Sequence, residues 1–281
     1  MVTTISRKNQ VAVITGAASG IGAGLVRKAA RLGMKVVLAD LDGDELASVA
    51  AALDGETMSV PLDVTSLASM QELADAVWKR FGRVDLLFNN AGVMTTGLMW
   101  EIDPGHWKRA FDVNVGGVMN GIRAFVPRMI ESGMPGHVIN TASVGGFLPS
   151  PLMAPYTATK AAVVALTESL HGELAIMKAP VKASLLAPGP VKSGIFNDPF
   201  SGHVRAETRD FVEVVRQLLT QHGLDADSFA DRVFAAIDQG LFWILPQPET
   251  IDVQLQHRID AILARRDPAL PAILGSQRRA G

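Results

Sequence analysis

The sequence predicts an α/β fold in which one doubly wound parallel sheet carries helices on both faces. Short runs rich in valine, isoleucine and leucine alternate with longer helical patterns along most of the 281 residues, and the first run leads through a glycine-rich turn into a helix. Alternation at this spacing is typical of a parallel sheet that is buried on both faces. Because no linker-like or low-complexity stretch divides the chain, we expect a single domain over residues 1–281.

The first 130 residues contain four strand–helix units. Each predicted strand is a short apolar run, and each predicted helix has apolar residues at helical spacing or a run of good helix formers. The predicted strands are Val11–Thr15, Lys35–Asp40, Thr57–Leu62 and Val84–Phe88, and the helices that follow them are Gly22–Leu32, Asp44–Leu53, Ser66–Phe81 and Pro104–Ile130. Pro127 is expected to bend the end of the last helix, because proline cannot donate the helical hydrogen bond.

Two further strands follow, and then the alternation stops. Strands His137–Thr141 and Val181–Leu186 flank a long alanine-rich helix, Tyr156–Met177. Residues 192–222 have mixed polarity and predict an irregular segment with one helix, near Thr208–Thr220. The last predicted elements are the helix Ser228–Gln239, the strand Leu241–Leu245, the helix Ile251–Arg266 and a C-terminal tail over residues 267–281, which is expected to fray from Gly275.

Composition excludes several classes of function. The chain has 26 basic and 28 acidic side chains, which gives no electrostatic footprint for nucleic acid or an anionic membrane. It has no cysteine, which excludes disulfides, thiolate metal sites and cysteine nucleophiles, and we expect no metal. No signal-like apolar core precedes the first strand, and no apolar run approaches the length of about 18 residues that spans a membrane, so a cytoplasmic protein is expected.

The turn after the first strand, Thr15–Gly22, has glycines at positions 16, 20 and 22. Glycine lets the backbone turn tightly and approach a pyrophosphate, and the helix N-terminus offers unpaired N–H groups to the anion. A tight turn with incidental glycines has the same composition, but only the phosphate-binding interpretation requires this context of first strand and first helix. The turn therefore predicts a dinucleotide site that contains Gly16, Ser19, Gly20, Ile21 and Gly22.

The second strand ends in Asp40, 18 residues after Gly22. A carboxylate there can accept hydrogen bonds from the adenosine ribose hydroxyls. Between Lys35 and Glu56 there is no lysine or arginine, so a 2′-phosphate would meet a carboxylate without a compensating cation. This arrangement predicts NAD(H) over NADP(H), although Asp40 could also simply end a strand.

Tyr156 is the single tyrosine of the chain, and Lys160 follows it by four residues. On a helix, this spacing places both side chains on one face. A nearby positive charge favours the phenolate, but lowering a pKa of about 10 by about three units requires roughly 4 kcal/mol. One lysine rarely supplies that much, whereas a lysine and a cationic cofactor together could. In isolation, the spacing also fits an ordinary surface pair.

In this order and spacing, the motifs resemble those of the short-chain dehydrogenase/reductase family over roughly residues 9–195. The resemblance implies a Rossmann-like sheet and further cofactor contacts. The segment Pro188–Ser193 resembles the family's Pro-Gly-x-Val-x-Thr segment, and Ser193 keeps the hydroxyl of the threonine that usually stands at its last position. The implied contacts are Asp63 and Val64 at the adenine, Asn90, Ala91 and Gly92 in the Asn-Asn-Ala-Gly segment beside the ribose, and Pro188, Gly189, Val191 and Ser193 at the nicotinamide amide.

The resemblance also implies four catalytic residues, Asn114, Ser143, Tyr156 and Lys160. Tyr156 would be the general acid/base, and Lys160 would lower the pKa of the phenol and bind the nicotinamide ribose. Ser143 would donate a hydrogen bond to the substrate oxygen, and Asn114 would hold a water that links Lys160 to solvent. Alone, Ser143 could be a turn hydroxyl and Asn114 a helix-interior amide, where the adjacent Gly116 indicates close packing or a kink.

The residues near the predicted catalytic groups are apolar, which predicts a hydrophobic substrate. Val144, Phe147, Met153 and Phe196 are the expected pocket residues, with residues 192–222 as a lid over them. Charged anchors for a phosphate or carboxylate are scarce there, so we expect a hydrophobic secondary alcohol or its ketone, including aromatic and cyclic ones. Residues 125–136 with Gly145-Gly146-Phe147 are also similar to alcohol dehydrogenases of bacterial aromatic catabolism. Ordinary core packing would use the same residue types.

Two other functions share much of this pattern. One is a non-catalytic sensor of NAD(H), and the other is a dehydratase, epimerase or lyase on the same fold. A sensor would be expected to lack part of the Ser-Tyr-Lys set, and the intact glycine-rich turn with Asp40 favours redox chemistry. The resemblance implies a homo-oligomer, either a dimer or a tetramer, although apolar helices also fit packing against the sheet.

Overall fold

A seven-stranded parallel sheet forms the centre of the structure, a computed structural model that describes residues 7–200 and 204–268. The strand order is β3-β2-β1-β4-β5-β6-β7, and each pair of neighbouring strands is parallel. This confirms the predicted fold class. The strands are β1 Val11–Thr15, β2 Lys35–Asp40, β3 Thr57–Pro61, β4 Leu86–Asn89, β5 Gly136–Thr141, β6 Val181–Leu186 and β7 Trp243–Ile244.

Helices cover both faces of the sheet. Successive side chains of a strand point to opposite faces, so each face has apolar side chains that a helix layer buries. In β1, Ala12 and Ile14 pack in the layer under the helices Gly20–Arg31 and Ala226–Asp238. Val11 and Val13 pack in the layer under the helices Leu67–Phe81, Gly117–Glu131 and Ala154–Ile176. Each layer is therefore a separate apolar core. The helices are α1 Gly20–Arg31, α2 Gly43–Ala51, α3 Leu67–Phe81, α4 Pro104–Phe111, α5 Gly117–Glu131, α6 Ala154–Ile176, α7 Ala206–His222, α8 Ala226–Asp238 and α9 Pro248–Leu263.

The strand order reverses between β1 and β4, and this reversal positions the site. The chain runs outward from β1 to β3 and then returns to place β4 on the other side of β1. The connections that leave the carboxyl ends of β1 and β4 therefore diverge and open a crevice, which is where doubly wound sheets bind ligands.

Several elements differ from the prediction in their detail. The predicted helix Pro104–Ile130 is α4 and α5 joined by a π-helical turn, Asp112–Gly116, while Pro127 lies inside α5 without ending it. At the turn, a Cβ on Gly117 would lie 2.8 Å from Val64 Cγ2, so close packing explains a glycine there. The last strand is shorter than predicted because only Trp243 and Ile244 pair with β6.

The irregular segment after β6 contains more helix than predicted, because α7 covers all of Ala206–His222. Residues 201–203 of the predicted lid and residues 269–281 of the predicted tail lie outside the described residues. The extent of the single domain over residues 1–281 stays a prediction. Among the residues described, no helix has the length and apolar character needed to cross a membrane.

Candidate active site

A cavity of about 990 Å³ lies at the carboxyl ends of the central strands. Of all the predicted site residues, only Asn114 and Phe147 do not line it. The glycine-rich turn, the ends of β2 and β4 and the segment after β6 form one part, and the start of α6 with apolar side chains forms the other. Apart from Asn114, the predicted cofactor and catalytic residues thus line one continuous space.

The glycine-rich turn has no room for a side chain at Gly16 or Gly22. Gly16 has a φ of +66°, and a Cβ on it would lie 2.8 Å from the Cα of Ala91. A Cβ on Gly22 would lie 1.8 Å from the carbonyl oxygen of Gly16. Ser19, at the N-cap of α1, makes no side-chain capping bond, so the first turn of α1 keeps backbone N–H groups available toward the cavity. This is the cradle that an anion requires.

Asp40 connects the end of β2 to the same turn. Its Oδ2 accepts a hydrogen bond from the backbone N–H of Ala18 at 2.9 Å, and its Oδ1 accepts one from Leu41 at 2.7 Å. The lysine and arginine residues that line the cavity are Lys108, Arg109 and Lys160, and none of them lies on the chain around Asp40. The carboxylate is therefore held at the cavity wall without a basic neighbour from β2 or α2.

Asn90 joins the ends of β4 and β1. Its Nδ2 donates to the carbonyl oxygens of Thr15 at 3.0 Å and Gly16 at 3.3 Å. The backbone N–H groups of Asn90 and Ala91 both donate to the Thr15 hydroxyl, at 3.0 and 3.1 Å. These bonds hold the two sides of the crevice at a fixed separation.

Tyr156 and Lys160 lie side by side in the first turns of α6, and both are buried. The Lys160 Nζ is 5.7 Å from the centre of the Tyr156 ring and donates to the carbonyl oxygen of Thr141 at 2.8 Å. Burial raises the pKa of Tyr156, and a hydrogen bond with Ser143 opposes that increase. Burial lowers the pKa of Lys160 from 10.5 to about 8. Because burial raises the pKa of Tyr156, its ionisation near neutral pH requires positive charge that compensates for burial.

Ser143 caps a short 3₁₀ turn, Val144–Gly146, that follows β5. Its Oγ accepts a hydrogen bond from the backbone N–H of Gly145 at 3.1 Å. Since the Oγ acts as the acceptor there, its own proton is available for donation. The hydroxyl thus lies between a fixed backbone donor and Tyr156.

Asn114 is fully buried in the π-helical turn and does not reach the cavity surface. Its Nδ2 donates to the carbonyl oxygen of Val93 and to the Thr159 hydroxyl, both at 3.0 Å, while its Oδ1 accepts from the Val93 N–H at 2.8 Å. Thr159 in turn donates to the carbonyl oxygen of Tyr156 at 2.7 Å. Both amide protons of Asn114 are used in these contacts, so its side chain links the segment after β4 to α6. Its predicted role in holding a water stays a prediction.

Gly92 separates Asn114 from Lys160. A Cβ on Gly92 would lie 3.3 Å from the Asn114 Oδ1 and 3.4 Å from the Lys160 Nζ. The glycine therefore leaves the small space between the amide and the ammonium open. Any side chain here would press on both groups.

The other end of the cavity is apolar. Met94, Tyr156 and Phe196 are buried together with Phe211 and Val212 of α7. Among the predicted pocket residues, Val144, Met153 and Phe196 line this end.

Phe147 is a correction to the predicted pocket. Its ring packs edge-on against Trp243, with centroids 5.9 Å apart, in a separate apolar cluster. The 3₁₀ turn packs so closely on α6 that a Cβ on Gly146 would lie 2.8 Å from the Lys160 carbonyl oxygen, and the next residue leaves the cavity toward β7.

The sequence alone did not single out Gln247, which holds the segment after β6. It is 3 % exposed and lies between β7 and α9. Its Oε1 accepts from the N–H of Gly189 at 3.0 Å, and its Nε2 donates to the carbonyl oxygen of Pro190 at 2.6 Å. Its position between Pro246 and Pro248 is the only local signal. Within the described residues, no group of three histidine, aspartate or glutamate side chains is arranged to hold a metal.

Comparison with known proteins gives one consistent result. A family model described as short chain dehydrogenase matches residues 10–202. A crystal structure of a short chain dehydrogenase/reductase from Burkholderia phymatum in complex with NAD superposes with a TM-score of 0.90 at 38% identity, covering 95% of this chain and 99% of that one.

Two curated relatives are similar over most of their length. The 1-deoxy-11-beta-hydroxypentalenate dehydrogenase of Streptomyces avermitilis is 37% identical over 238 residues, which is 83% of each protein. The C alpha-dehydrogenase of a Sphingobium strain is 32% identical over 267 residues, covering 91% of this chain and 87% of the relative.

Proposed function

This chain belongs to the short-chain dehydrogenase family, a family of oxidoreductases, and from that premise we propose that it transfers a hydride between NAD(H) and a hydrophobic secondary alcohol or ketone. One observation carries the proposal. The Tyr156 ring is part of the apolar cluster, while its neighbours Ser143 and Lys160 line the same cavity as the glycine-rich turn. A proton-transfer group thus lies where the cofactor region meets an apolar pocket.

The cavity residues fit a dinucleotide. Side chains on Gly16 and Gly22 would collide with the backbone of Ala91 and Gly16, so only glycine allows the tight turn from which α1 begins at the cavity. Asp40 would accept from the adenosine ribose, and Lys160, which donates one hydrogen bond to Thr141, would donate others to the nicotinamide ribose. When bound, NAD⁺ would supply the hydride acceptor and a positive charge near Tyr156. The other contacts would be Asp63 and Val64 at the adenine, Asn90, Ala91 and Gly92 at the ribose, and Pro188, Gly189, Val191 and Ser193 at the nicotinamide amide.

NAD(H) is favoured over NADP(H) by charge. A 2′-phosphate beside Asp40 would add negative charge next to a carboxylate, and no lysine or arginine lies between Lys35 and Glu56 to offset it. The Burkholderia relative was solved with NAD. Both observations support the same preference.

In the oxidation direction, the Tyr156 phenolate accepts the proton of the substrate hydroxyl. Ser143 donates a hydrogen bond to the substrate oxygen and keeps its proton, which fixes that oxygen between the two residues. Charged Lys160, held by Thr141, stabilises the phenolate electrostatically. Asn114 acts indirectly, because its hydrogen bonds to Val93 and Thr159 fix the start of α6, on which Tyr156 and Lys160 lie.

The substrate region favours an apolar molecule. Met94, Met153, Ile195, Phe196 and Phe200 surround the phenol or lie against its cluster. The segment Gly194–Phe200, which lines this end of the cavity, contains no lysine or arginine that could bind a carboxylate or phosphate as a fork. One relative is named for a hydroxylated compound, which agrees with a hydroxyl-bearing substrate.

The direct test is the formation of NADH from a panel of secondary alcohols at alkaline pH. We expect turnover of 1-phenylethanol and cyclohexanol above that of lactate, and Tyr156→Phe should lose almost all activity while it retains the wild-type melting temperature. A preference for lactate would overturn the substrate class. Full activity in Tyr156→Phe would overturn the mechanism.

The phenol itself can be observed, because Tyr156 is the single tyrosine. An ultraviolet titration of tyrosinate should give a midpoint above that of free tyrosine in the free enzyme, since burial raises this pKa. Adding NAD⁺ should lower the midpoint through its positive charge. An unchanged midpoint would separate Tyr156 from the cofactor.

Two alternatives make opposite predictions in the same assays. A non-catalytic NAD(H) sensor would bind NADH without turnover of any alcohol, and a dehydratase or epimerase would convert substrate without net NADH formation. The complete set of Asn114, Ser143, Tyr156 and Lys160 favours redox catalysis over both. Assembly as a homodimer or homotetramer and a cytoplasmic location stay predictions.

A further inference from the structure

One wall of the apolar pocket is the segment Gly194–Phe200, and we propose that Arg216 is the positioning residue that fixes this wall and thereby sets substrate discrimination. The inference rests on the proposed function for its substrate class. The segment contributes Ile195, Phe196 and Phe200 to the cavity. Arg216 lies outside the cavity on α7, so it acts through the segment and not on the substrate.

The guanidinium of Arg216 is committed to the backbone of that segment. Its Nε and Nη2 donate to the carbonyl oxygen of Phe196 at 2.9 and 2.7 Å, and the same Nη2 donates to that of Asn197 at 2.9 Å. These carbonyls belong to the last residue of the 3₁₀ turn Gly194–Phe196 and to its C-cap, Asn197, where backbone oxygens have no partner within the turn. The guanidinium carbon of Arg216, Cζ, also lies 5.9 Å from the centre of the Phe200 ring. One side chain therefore contacts both aromatic residues of the wall.

No carboxylate competes for this charge. Within the described part of the chain, Arg216 takes part in no ion pair, although thirteen such pairs are formed by other residues. Its acidic neighbour on α7, Glu213, instead accepts a hydrogen bond from Gln217. The half-buried guanidinium thus directs its charge-assisted bonds to carbonyl oxygens, where they are stronger than bonds between neutral groups.

The segment is held at a second point by Thr96. Its backbone N–H and hydroxyl both donate to the carbonyl oxygen of Pro199, at 2.7 and 3.0 Å. Arg216 holds the segment at Phe196, which is buried in the same apolar cluster as Tyr156. Removing Arg216 leaves the Pro199 end attached and frees the end that bears Phe196. The distance between the wall and the catalytic phenol then varies.

Substrate size determines the expected effect. A bulky alcohol needs the wall to orient its carbinol carbon, whereas a small alcohol makes little contact with it. In Arg216→Met, we expect kcat/KM for 1-phenylethanol to fall about 10- to 100-fold, the range that small misplacements produce. The value for 2-propanol should change much less, so the ratio of the two should fall, and the dissociation constant of NADH should stay unchanged. Arg216→Lys should restore the ratio only partly, because an ammonium has no planar fork.

Arg209 provides a matched control on the same helix. Its Nη1 also donates to a backbone carbonyl, that of Val204, at 2.8 Å, but neither residue lines the cavity. Arg209→Met should leave the discrimination ratio unchanged. An equal loss of discrimination in both variants would overturn the specific role of Arg216.

Hydrogen exchange tests the contact without relying on activity. The N–H of Asn197 donates to Gly194 within the 3₁₀ turn, and peptides that cover residues 194–200 report its opening. Exchange should accelerate in Arg216→Met and not in Arg209→Met. Unchanged exchange overturns the positioning role, and faster exchange with an unchanged ratio overturns the role in discrimination. Absence of turnover by the wild type would refute the proposed function, while the exchange result would still decide whether Arg216 holds the segment.

Discussion

Burial of the charged Lys160 ammonium destabilises the folded protein by an amount that can be measured. Burial lowers the pKa of its ammonium from 10.5 to about 8. At about 1.4 kcal/mol per pKa unit, a charged Lys160 destabilises the folded protein by about 3 kcal/mol wherever both states are protonated. Lys160→Met removes this cost and also removes the hydrogen bond to Thr141, which contributes about 1 kcal/mol. The variant should therefore be inactive but more stable, by about 2 kcal/mol near neutral pH.

The pH dependence identifies the cause. Below about pH 8 the ammonium is charged in both states, so the full cost applies. As the pH rises toward 10.5, the folded protein releases its proton before the unfolded chain does, so the cost diminishes and the wild type gains stability relative to the variant. Between about pH 7 and 9.5, the advantage of the variant should shrink by about 2 kcal/mol.

The assay is urea unfolding of the cofactor-free wild type and Lys160→Met at several pH values. Comparing the two proteins at each pH cancels the titration of groups that they share. Lys79→Met, at an exposed position near the end of α3, is the matched control and should show no such trend. The reasoning is refuted if Lys160→Met is less stable than the wild type at neutral pH, or if the difference is constant with pH.

Three further changes have expected outcomes. Asp40→Asn should improve the affinity for NADPH relative to NADH by about tenfold, measured by fluorescence titration, because a negative charge beside the phosphate position is removed. Gln247→Leu should weaken NADH binding about tenfold, measured by calorimetry, since Gly189 and Pro190 lose their hydrogen bonds to it. Burial and nearby positive charges lower the pKa of His137 from 6.5 to about 4, so the wild type should lose about 3 kcal/mol as the pH falls across that window, because only the unfolded chain binds the proton. His137→Gln should lack that loss in acid unfolding curves.

Each of these outcomes has a counterpart that would contradict it. An unchanged NADPH to NADH ratio in Asp40→Asn would mean that the carboxylate does not face the ribose. The exposed Gln217 serves as the control for Gln247, and an equal effect of Gln217→Leu would show a general change. If the wild type and His137→Gln lose stability in parallel between pH 6.5 and 4, the titration belongs to other groups.

The strands were predictable because their pattern is local. Strands β1 to β6 begin and end within two residues of the prediction. Burial of parallel strands in apolar runs accounts for five of them, whereas β3 is only partly buried. Trp243–Ile244 is shorter than its apolar run because pairing with β6 sets its length. The π-helical turn Asp112–Gly116 also depends on tertiary packing, because the close contact of Gly117 with Val64 joins residues that are far apart in sequence.

The same distinction separates the site residues. Residues within short motifs, such as Gly16, Asp40 and Tyr156, line the cavity as predicted. Phe147 was predicted to line the cavity but lies in a separate apolar cluster. No local sequence pattern indicates that the chain leaves the cavity after the close-packed turn at Gly146. Gln247 and Arg216 act on backbone carbonyls of distant segments, and a sequence contains no spacing rule for such contacts.

The residues around the apolar pocket and the groups proposed to transfer the proton come from different parts of the chain. Most of the pocket residues belong to residues 194–200 and 204–219, whereas Ser143 and Tyr156 belong to the end of β5 and the start of α6. Substitutions or insertions in that later stretch can reshape the pocket without disturbing the sheet or the chemistry. Natural divergence and laboratory evolution therefore have these two neighbouring segments as a target for new substrate ranges, and a library confined to them would leave the groups proposed for hydride transfer unchanged.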